Sequence, residues 1–150
     1  MKKSQRLNVI VELNARNEKN TLKALGDAQQ KKQQAEKQLE DLKLYRQEYE
    51  VKYQSIAKIG LNIKQLLEFK AFMSKLDKAI AEQEQVVVGV EQQLINTRKQ
   101  WEQQHQKTKS MQKVCEAAVK EEIKVEEKRE QNEQDDRSTR IGRNGGIRNA

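Results

Sequence analysis

The sequence contains no proline, one cysteine, one histidine and only 4% aromatic residues among its 150 residues. Proline shapes turns and cannot continue a helix, so its complete absence argues against an ordinary globular domain with several turns. The single cysteine, Cys115, excludes an intrachain disulfide framework and is typical of a reducing cytoplasm. The scarcity of aromatic side chains argues further against a large globular core.

Charged residues, by contrast, make up 35% of the chain, and the mean hydropathy is −1.07. Alanine, glutamate, lysine, leucine, arginine and glutamine are abundant, and apolar residues recur every three to four positions, which is typical of a long helix or coiled coil. The apolar content suffices for a seam between two helices and leaves no room for a buried substrate cavity. We therefore expect an all-α protein.

One short segment, Ile59-Gly60-Leu61-Asn62, interrupts the helical pattern. Glycine favours the left-handed position just after a helix, and asparagine caps the start of the next one. The sequence therefore predicts a first helix at about residues 4–58, a turn at residues 59–62 and a second helix at about residues 63–136. Two long amphipathic helices joined by so short a turn pack side by side and antiparallel.

The predicted fold is all-α: a long two-helix antiparallel coiled-coil hairpin over residues 1–136, with an overhanging C-terminal helix and a disordered tail. Apolar residues follow strict three- and four-residue steps in both helices, which favours a left-handed supercoil. Polar residues interrupt these steps in the first helix at positions 14, 18, 21, 32 and 46. We therefore expect weaker pairing in the N-terminal half of that helix.

The second helix is predicted to extend past the N-terminus. Folding at residues 60–61 places residue 7 beside about residue 114, so residues from about 116 to 136 are expected to have no intrachain neighbour. Their interleaved charges are typical of a solvated single helix. The last segment, residues 137–150, contains three glycines and four arginines and is predicted to be a disordered basic tail.

Residues that carry chemistry are few and scattered. His105 has no second histidine with which to bind a metal, and Cys115 falls at an apolar seam position. The glycines at 26, 60 and 89 stand alone, so no phosphate-binding loop is present. The many acidic residues are typical of solvated helix faces. We therefore predict no catalytic residue, no metal site, no cofactor and no enzymatic activity.

The formal net charge of +7 is compatible with nucleic acid, anionic lipid or an acidic protein surface as a partner. The basic residues are interleaved with acidic ones, and no aromatic platform alternates with them, so nucleic acid is not the expected partner. The N-terminal segment is basic, but Asn8, Glu12 and Asn14 interrupt the apolar residues that follow. The sequence predicts neither a signal peptide nor membrane insertion, and we expect a cytoplasmic location.

The most informative feature is a set of side chains beside the seam. Tyr45 and Phe72 each precede a seam position by one residue, and the hairpin places residue 45 opposite about 76 and residue 49 opposite about 72. The two edges therefore meet on one flank and form an aromatic strip with polar ends. Such a strip is a candidate protein-binding surface, although a wide seam would also absorb these side chains. The aromatic strip consists of Gln38, Leu42, Tyr45, Tyr49, Phe72, Leu76, Ala79 and Gln83.

Several motifs in this region are similar to those of one family. On these motifs, and on the length and heptad phase of residues 5–135, the chain resembles the flagellar FliJ family. The motifs are Tyr45-Arg46-Gln47-Glu48-Tyr49, the turn Gly60-Leu61-Asn62, Phe69-Lys70-Ala71-Phe72-Met73 and Leu76-Asp77-Lys78-Ala79-Ile80.

The resemblance implies a non-enzymatic, stalk-like coiled coil of the bacterial flagellar type III protein export apparatus. Family members bind the hexameric export ATPase FliI and the export-gate protein FlhA, assist delivery by flagellar substrate chaperones, and associate peripherally with the inner face of the cell membrane. By this resemblance the aromatic strip corresponds to the gate-binding surface, and Gln83 is the position where the correspondence is weakest. The candidate residues for binding the ATPase ring are Arg6, Leu7, Val9, Ile10, Val119 and Ile123.

Two other functional classes compete with this interpretation. A general coiled-coil holdase chaperone or adaptor would use the same strip for many clients. A basic coiled-coil nucleic-acid binder would show steeply salt-dependent retention on DNA.

Overall fold

The computed structural model describes the backbone of residues 2–148 and the side chains of residues 2–143. Over this range the chain forms two helices, α1 (Lys3–Ala57) and α2 (Ile63–Arg148), and no strand. The predicted all-α helical hairpin is confirmed. Neither helix, within the described residues, contains a stretch apolar enough to cross a bilayer.

The two helices contribute to two compact units. The turn unit comprises Lys19–Gln103, and the terminal unit combines the part of α1 up to Glu18 with the part of α2 from Gln104 onward. Within each unit, a segment of α1 packs against an antiparallel segment of α2.

The reversal of the chain depends on two capping interactions. Gly60 has a φ of +119°, which L side chains rarely adopt, and its N–H donates to the Ile56 carbonyl at 3.3 Å. At the start of α2, the Asn62 Oδ1 accepts the Gln65 N–H at 2.7 Å, and the Gln65 side chain accepts the Asn62 N–H at 3.2 Å. This reciprocal pair is a capping box. The glycine and asparagine therefore act as the sequence predicts.

The seam of the turn unit is apolar at the predicted positions. Leu25 and Ala35 of α1 are buried, as are Met73, Leu76 and Leu94 of α2. The observed partners match the predicted register, since Gln38 contacts Gln83 and the ring of Tyr49 packs on that of Phe72. Burial of one large apolar side chain stabilises a fold by about 1.5–3 kcal/mol, so these residues supply most of the driving force for pairing.

The seam of the terminal unit contains a polar layer, defined as Asn14, Gln104 and Thr108. Asn14 and Thr108 are 5% and 3% exposed. The Gln104 Nε2 donates to both the carbonyl oxygen and the Oδ1 of Asn14 at 3.2 Å, and the Thr108 hydroxyl lies 3.2 Å from the same carbonyl. Because each such bond contributes only about 1 kcal/mol net, the layer stabilises pairing less than apolar residues would.

Pairing in the terminal unit continues beyond the predicted point. The sequence predicts no intrachain neighbour from about residue 116, but Ala118 is buried and the Glu122 carboxylate accepts hydrogen bonds from Ser4. The reason is that α1 begins at Lys3 and that Ser4 contacts both Cys115 and Glu122, so the start of α1 covers α2 over these two helical turns. From residue 123 to residue 143 every side chain is exposed, so the overhang starts there.

Helix α2 extends beyond its predicted C-terminal end. The sequence predicts an end near residue 136 and a disordered tail over residues 137–150, whereas the helical backbone continues to Arg148. No proline interrupts it, and the backbone hydrogen bonds between residues four apart form within the helix itself and need no partner helix. Residues 149 and 150 of the predicted tail lie outside the described residues.

Replacing glycine by alanine should change the free energy of unfolding in opposite directions at the turn and in the helix interiors. Gly60→Ala should destabilise the protein by about 1 kcal/mol, because alanine is strained at a positive φ. Gly26→Ala and Gly89→Ala should each stabilise it by about 1 kcal/mol, because both glycines lie inside helices with open space around the added methyl group. Urea unfolding followed by circular dichroism measures the three free energies, and the same sign at all three positions would contradict this account of the turn.

Candidate protein-binding surfaces

Five of the six aromatic residues of the chain form one cluster in the turn unit. Tyr45, Tyr49 and Tyr53 follow one another at four-residue intervals along α1, so they line one face of that helix. Phe69 and Phe72, three residues apart on α2, lie against them. The register set by the turn therefore brings all five rings together, and we refer to them as the aromatic cluster.

Aromatic rings of α1 pack against aromatic rings of α2. The Phe72 ring centroid lies 4.5 Å from that of Tyr49 and 6.1 Å from that of Tyr45, the latter in an edge-on arrangement. Phe69 stacks on both Tyr49 and Tyr53, with 5.5 Å between its centroid and that of Tyr49. Such pairs contribute about 0.5–1.5 kcal/mol each beyond the area they bury. The cluster therefore holds its own rings in place.

One edge of the aromatic cluster is open to solvent. Tyr45 is 49% exposed, and Tyr49 and Phe72 are half-buried. Beneath them, Met73 and Leu76 are buried in the seam. The accessible edge is thus a rigid aromatic surface supported by a packed apolar layer.

The polar end of the aromatic strip is ordered by hydrogen bonds. The Gln83 Nε2 donates to the Ala35 carbonyl at 3.0 Å and to the Gln38 Oε1 at 3.3 Å. Gln38, Leu42, Tyr45 and Gln83 also line one shallow groove. The two halves of the predicted strip, one from each helix, therefore meet on a single flank of the turn unit.

The structure refines the composition of the strip. Leu76 is only 7% exposed and belongs to the packed seam beneath the surface, and Ala79 is half-buried. Tyr53 and Phe69, which the predicted strip does not include, extend the ring contacts. The four-residue spacing of the three tyrosines was the signal that could have included Tyr53.

A charged cluster occupies the other side of the seam. Arg46 donates from its Nε to the Asp77 carboxylate at 2.6 Å and lies 3.4 Å from the Glu50 carboxylate. The hydrogen bond and charge of Asp77 raise the pKa of Arg46 above its ordinary value. Tyr45 and Phe72 lie on one side of the seam of their helices. Glu50 on α1 and Asp77 on α2 occupy the heptad position on the opposite side. The two flanks of the turn unit therefore present different chemistry.

The terminal unit exposes the side chains predicted to bind an ATPase ring. Val9 and Ile10 are exposed on α1 beside Leu13, which the sequence analysis did not single out. Val119 and Ile123 are exposed on α2, and Arg6 is exposed while Leu7 is half-buried. Val119 lines a groove together with Asn8, Val11 and Cys115. The six residues therefore form two sets, one on each helix.

The residues considered for catalysis or metal binding have ordinary surroundings. His105 contacts the Glu18 carboxylate through its Nδ1, and the Cys115 thiol lies 3.7 Å from the Ser4 carbonyl oxygen. Among the described residues no group of three or more acidic, histidine or cysteine side chains is arranged to hold a metal ion.

The start of α1 is capped by a side chain from α2. The Glu122 carboxylate accepts the Ser4 N–H at 3.0 Å and the Ser4 hydroxyl at 2.6 Å. A carboxylate at the N-terminus of a helix satisfies free N–H groups and complements the helix dipole. The hydrogen bonds from the Ser4 hydroxyl and then its backbone N–H lower the pKa of Glu122 below its ordinary value.

Acid should release this cap. Because the folded state lowers the pKa of Glu122, its contribution to stability is complete above the ordinary glutamate pKa and is lost as the pH falls through the lowered value. Hydrogen exchange of the Ser4 amide should therefore accelerate as the pH falls through that value, beyond the intrinsic pH dependence, and a carbon NMR titration should report the lowered pKa directly. Ser4→Ala should return the pKa of Glu122 toward its ordinary value. An unshifted titration in the unmodified protein would contradict the cap.

One of three comparisons with known proteins found a match. The family model described as "Flagellar FliJ protein" matches residues 2–146, a range that covers the turn unit and most of the terminal unit. Neither the search of curated proteins nor the search of solved structures returned a match. FliJ proteins are structural components of the flagellar protein export apparatus. A match over nearly the whole chain, on a two-helix hairpin with these surfaces, shows that the chain belongs to the flagellar FliJ family.

Proposed function

We propose that this protein is the non-enzymatic stalk of the flagellar export apparatus. In this proposal the aromatic strip binds the export-gate protein FlhA, and the terminal unit binds the FliI ATPase ring. The protein also assists delivery by substrate chaperones, at the cytoplasmic face of the cell membrane. The observation that carries the proposal is the half-exposed edge of the aromatic cluster on a member of an export family.

The aromatic edge has the physical properties of a binding hot spot. Tyrosine offers a large contact area, and here the ring of Tyr45 is already held against Phe72. A side chain ordered before binding loses little entropy on association. The shallow groove beside it, with Gln38 and Gln83 at its polar end, adds hydrogen-bonding groups at the rim. This arrangement supports a specific protein contact.

The terminal unit supports a second contact. Val9, Ile10, Val119 and Ile123 expose apolar surface outside the seam, where it contributes little to pairing of the two helices. Exposed apolar residues at the free end of a charged coiled coil are suited to bind inside a ring. Their division between two helices would let the ring contact both at once.

A general holdase chaperone or adaptor is the second candidate function. It is favoured by the spread of exposed aliphatic residues beyond the two surfaces, such as Leu22, Val88 and Ile95. Such a protein would protect many aggregating clients and show no preference for FliI or FlhA.

Tyr45→Ala and Phe72→Ala should each weaken binding to the cytoplasmic part of FlhA roughly 30-fold, the loss typical of a hot-spot aromatic residue. The matched control is Leu44→Ala, because Leu44 has the same 49% exposure as Tyr45 and lies on a different face of α1. Titration calorimetry measures affinity, and circular dichroism checks helicity. Equal losses for Leu44→Ala and Tyr45→Ala would contradict a specific strip.

Val119→Ser combined with Ile123→Ser should reduce the effect of the protein on FliI ring assembly and ATP turnover about tenfold, because it removes exposed apolar contact area. The control, Val86→Ser with Val88→Ser, removes similarly exposed valines from the turn unit. It should leave the effect of the protein on FliI assembly and turnover unchanged. No binding of the unmodified protein to FliI would refute this part of the proposal, and protection of unrelated clients would favour the holdase.

A further inference from the structure

The end of the turn unit exposes aliphatic side chains that the functions above do not use. Ile59 in the turn is 89% exposed, Ile63 at the start of α2 is 78% exposed, and Leu67 one helical turn later is 61% exposed. All three lie within two helical turns of the chain reversal at Gly60. We refer to Ile59, Ile63 and Leu67 as the tip residues. None of these three side chains is buried in the hairpin, so together they expose a large apolar surface to water.

The same segment is strongly basic. Residues 51–70 contain four lysines, at positions 52, 58, 64 and 70, and a single acidic residue, Glu68. Lys58 and Lys64 are exposed and flank the turn directly. A different composition marks the far part of α2, where residues 116–136 carry nine acidic and four basic residues. Four lysines against one glutamate give residues 51–70 a net charge of +3, so basic and exposed aliphatic side chains lie together at the turn.

We propose that the tip residues contact an anionic lipid surface, with Ile59 and Ile63 entering the boundary between headgroups and acyl chains. Lysines around an exposed aliphatic tip complement anionic headgroups, and aliphatic side chains gain free energy by leaving water. Protein interfaces, by contrast, are enriched in aromatic residues and arginine and depleted in lysine. Residues 51–70 contain no arginine, and their two aromatic residues, Tyr53 and Phe69, stack on each other in the aromatic cluster.

The contact is interfacial and does not span the membrane. The tip residues lie in the turn and the first two helical turns of α2, and no stretch of the described helices is apolar enough to cross a bilayer. Two or three aliphatic side chains give weak and reversible attachment, which becomes useful when other contacts bind the same protein. The turn backbone is already fixed by the Gly60 and Asn62 caps, so the tip enters the interface without further ordering.

Flotation of the full-length protein with vesicles tests this contact. The protein should float with vesicles of phosphatidylglycerol and phosphatidylcholine at low salt, and should not float with phosphatidylcholine alone. Ile59→Ser with Ile63→Ser should reduce the bound fraction at least tenfold, and Lys58→Gln with Lys64→Gln roughly fivefold per lysine. The high exposure of these residues means that helicity should be unchanged by circular dichroism.

The matched control is Leu22→Ser with Val88→Ser, which removes two exposed aliphatic side chains of the same unit away from the turn and should leave flotation unchanged. Tyr45→Ala should also float normally, which separates this contact from the proposed binding to FlhA. Absence of flotation with anionic vesicles would overturn the proposal, as would equal losses for the tip and control variants. Loss of FlhA or FliI binding in the tip variants without any vesicle binding would assign the tip to a protein partner instead.

Discussion

The reversal of the backbone at Gly60 is the constraint on which the rest of the structure depends. Neither helix is stable in water by its apolar stripe alone, because that stripe must be covered by another element. A glycine at a φ of +119°, followed by the reciprocal cap of Asn62 and Gln65, sets the register with which α2 returns along α1. That register decides which side chains meet, from Tyr49 on Phe72 in one unit to Ser4 on Glu122 in the other.

The two units share the same three- and four-residue repeat, but different types of side chain fill their seams. In the turn unit, aromatic and aliphatic side chains fill the seam and extend onto one flank, so that packing and the exposed surface form a continuous, rigid group. In the terminal unit, Asn14, Gln104 and Thr108 replace apolar contacts by hydrogen bonds. A buried polar layer specifies register because any shift would leave its donors and acceptors unsatisfied. The weaker stabilisation there is suited to a part of the molecule that is proposed to bind a larger ring.

The charges are divided in a similar way. Arg46, Asp77 and Glu50 lie on one flank of the turn unit and the aromatic edge lies on the other, so the two flanks present different chemistry. Exposed ion pairs of this kind contribute little to stability. Their consequence is instead that this flank presents charged side chains where the opposite flank presents aromatic rings.

The sequence by itself determined the hairpin, the position of the turn, the seam and the flank on which the aromatic strip lies, because each of these follows from local caps and a three- and four-residue period. The tertiary structure alone decided how far pairing extends: Glu122 caps the start of α1, although the period gave no sign of an interaction between residues so distant in the chain. It also decided that Leu76 is buried while Tyr45 is half-exposed, and that Tyr53 and Phe69 stack. A repeat specifies which face a side chain occupies, whereas its depth and its ring contacts depend on the partner helix.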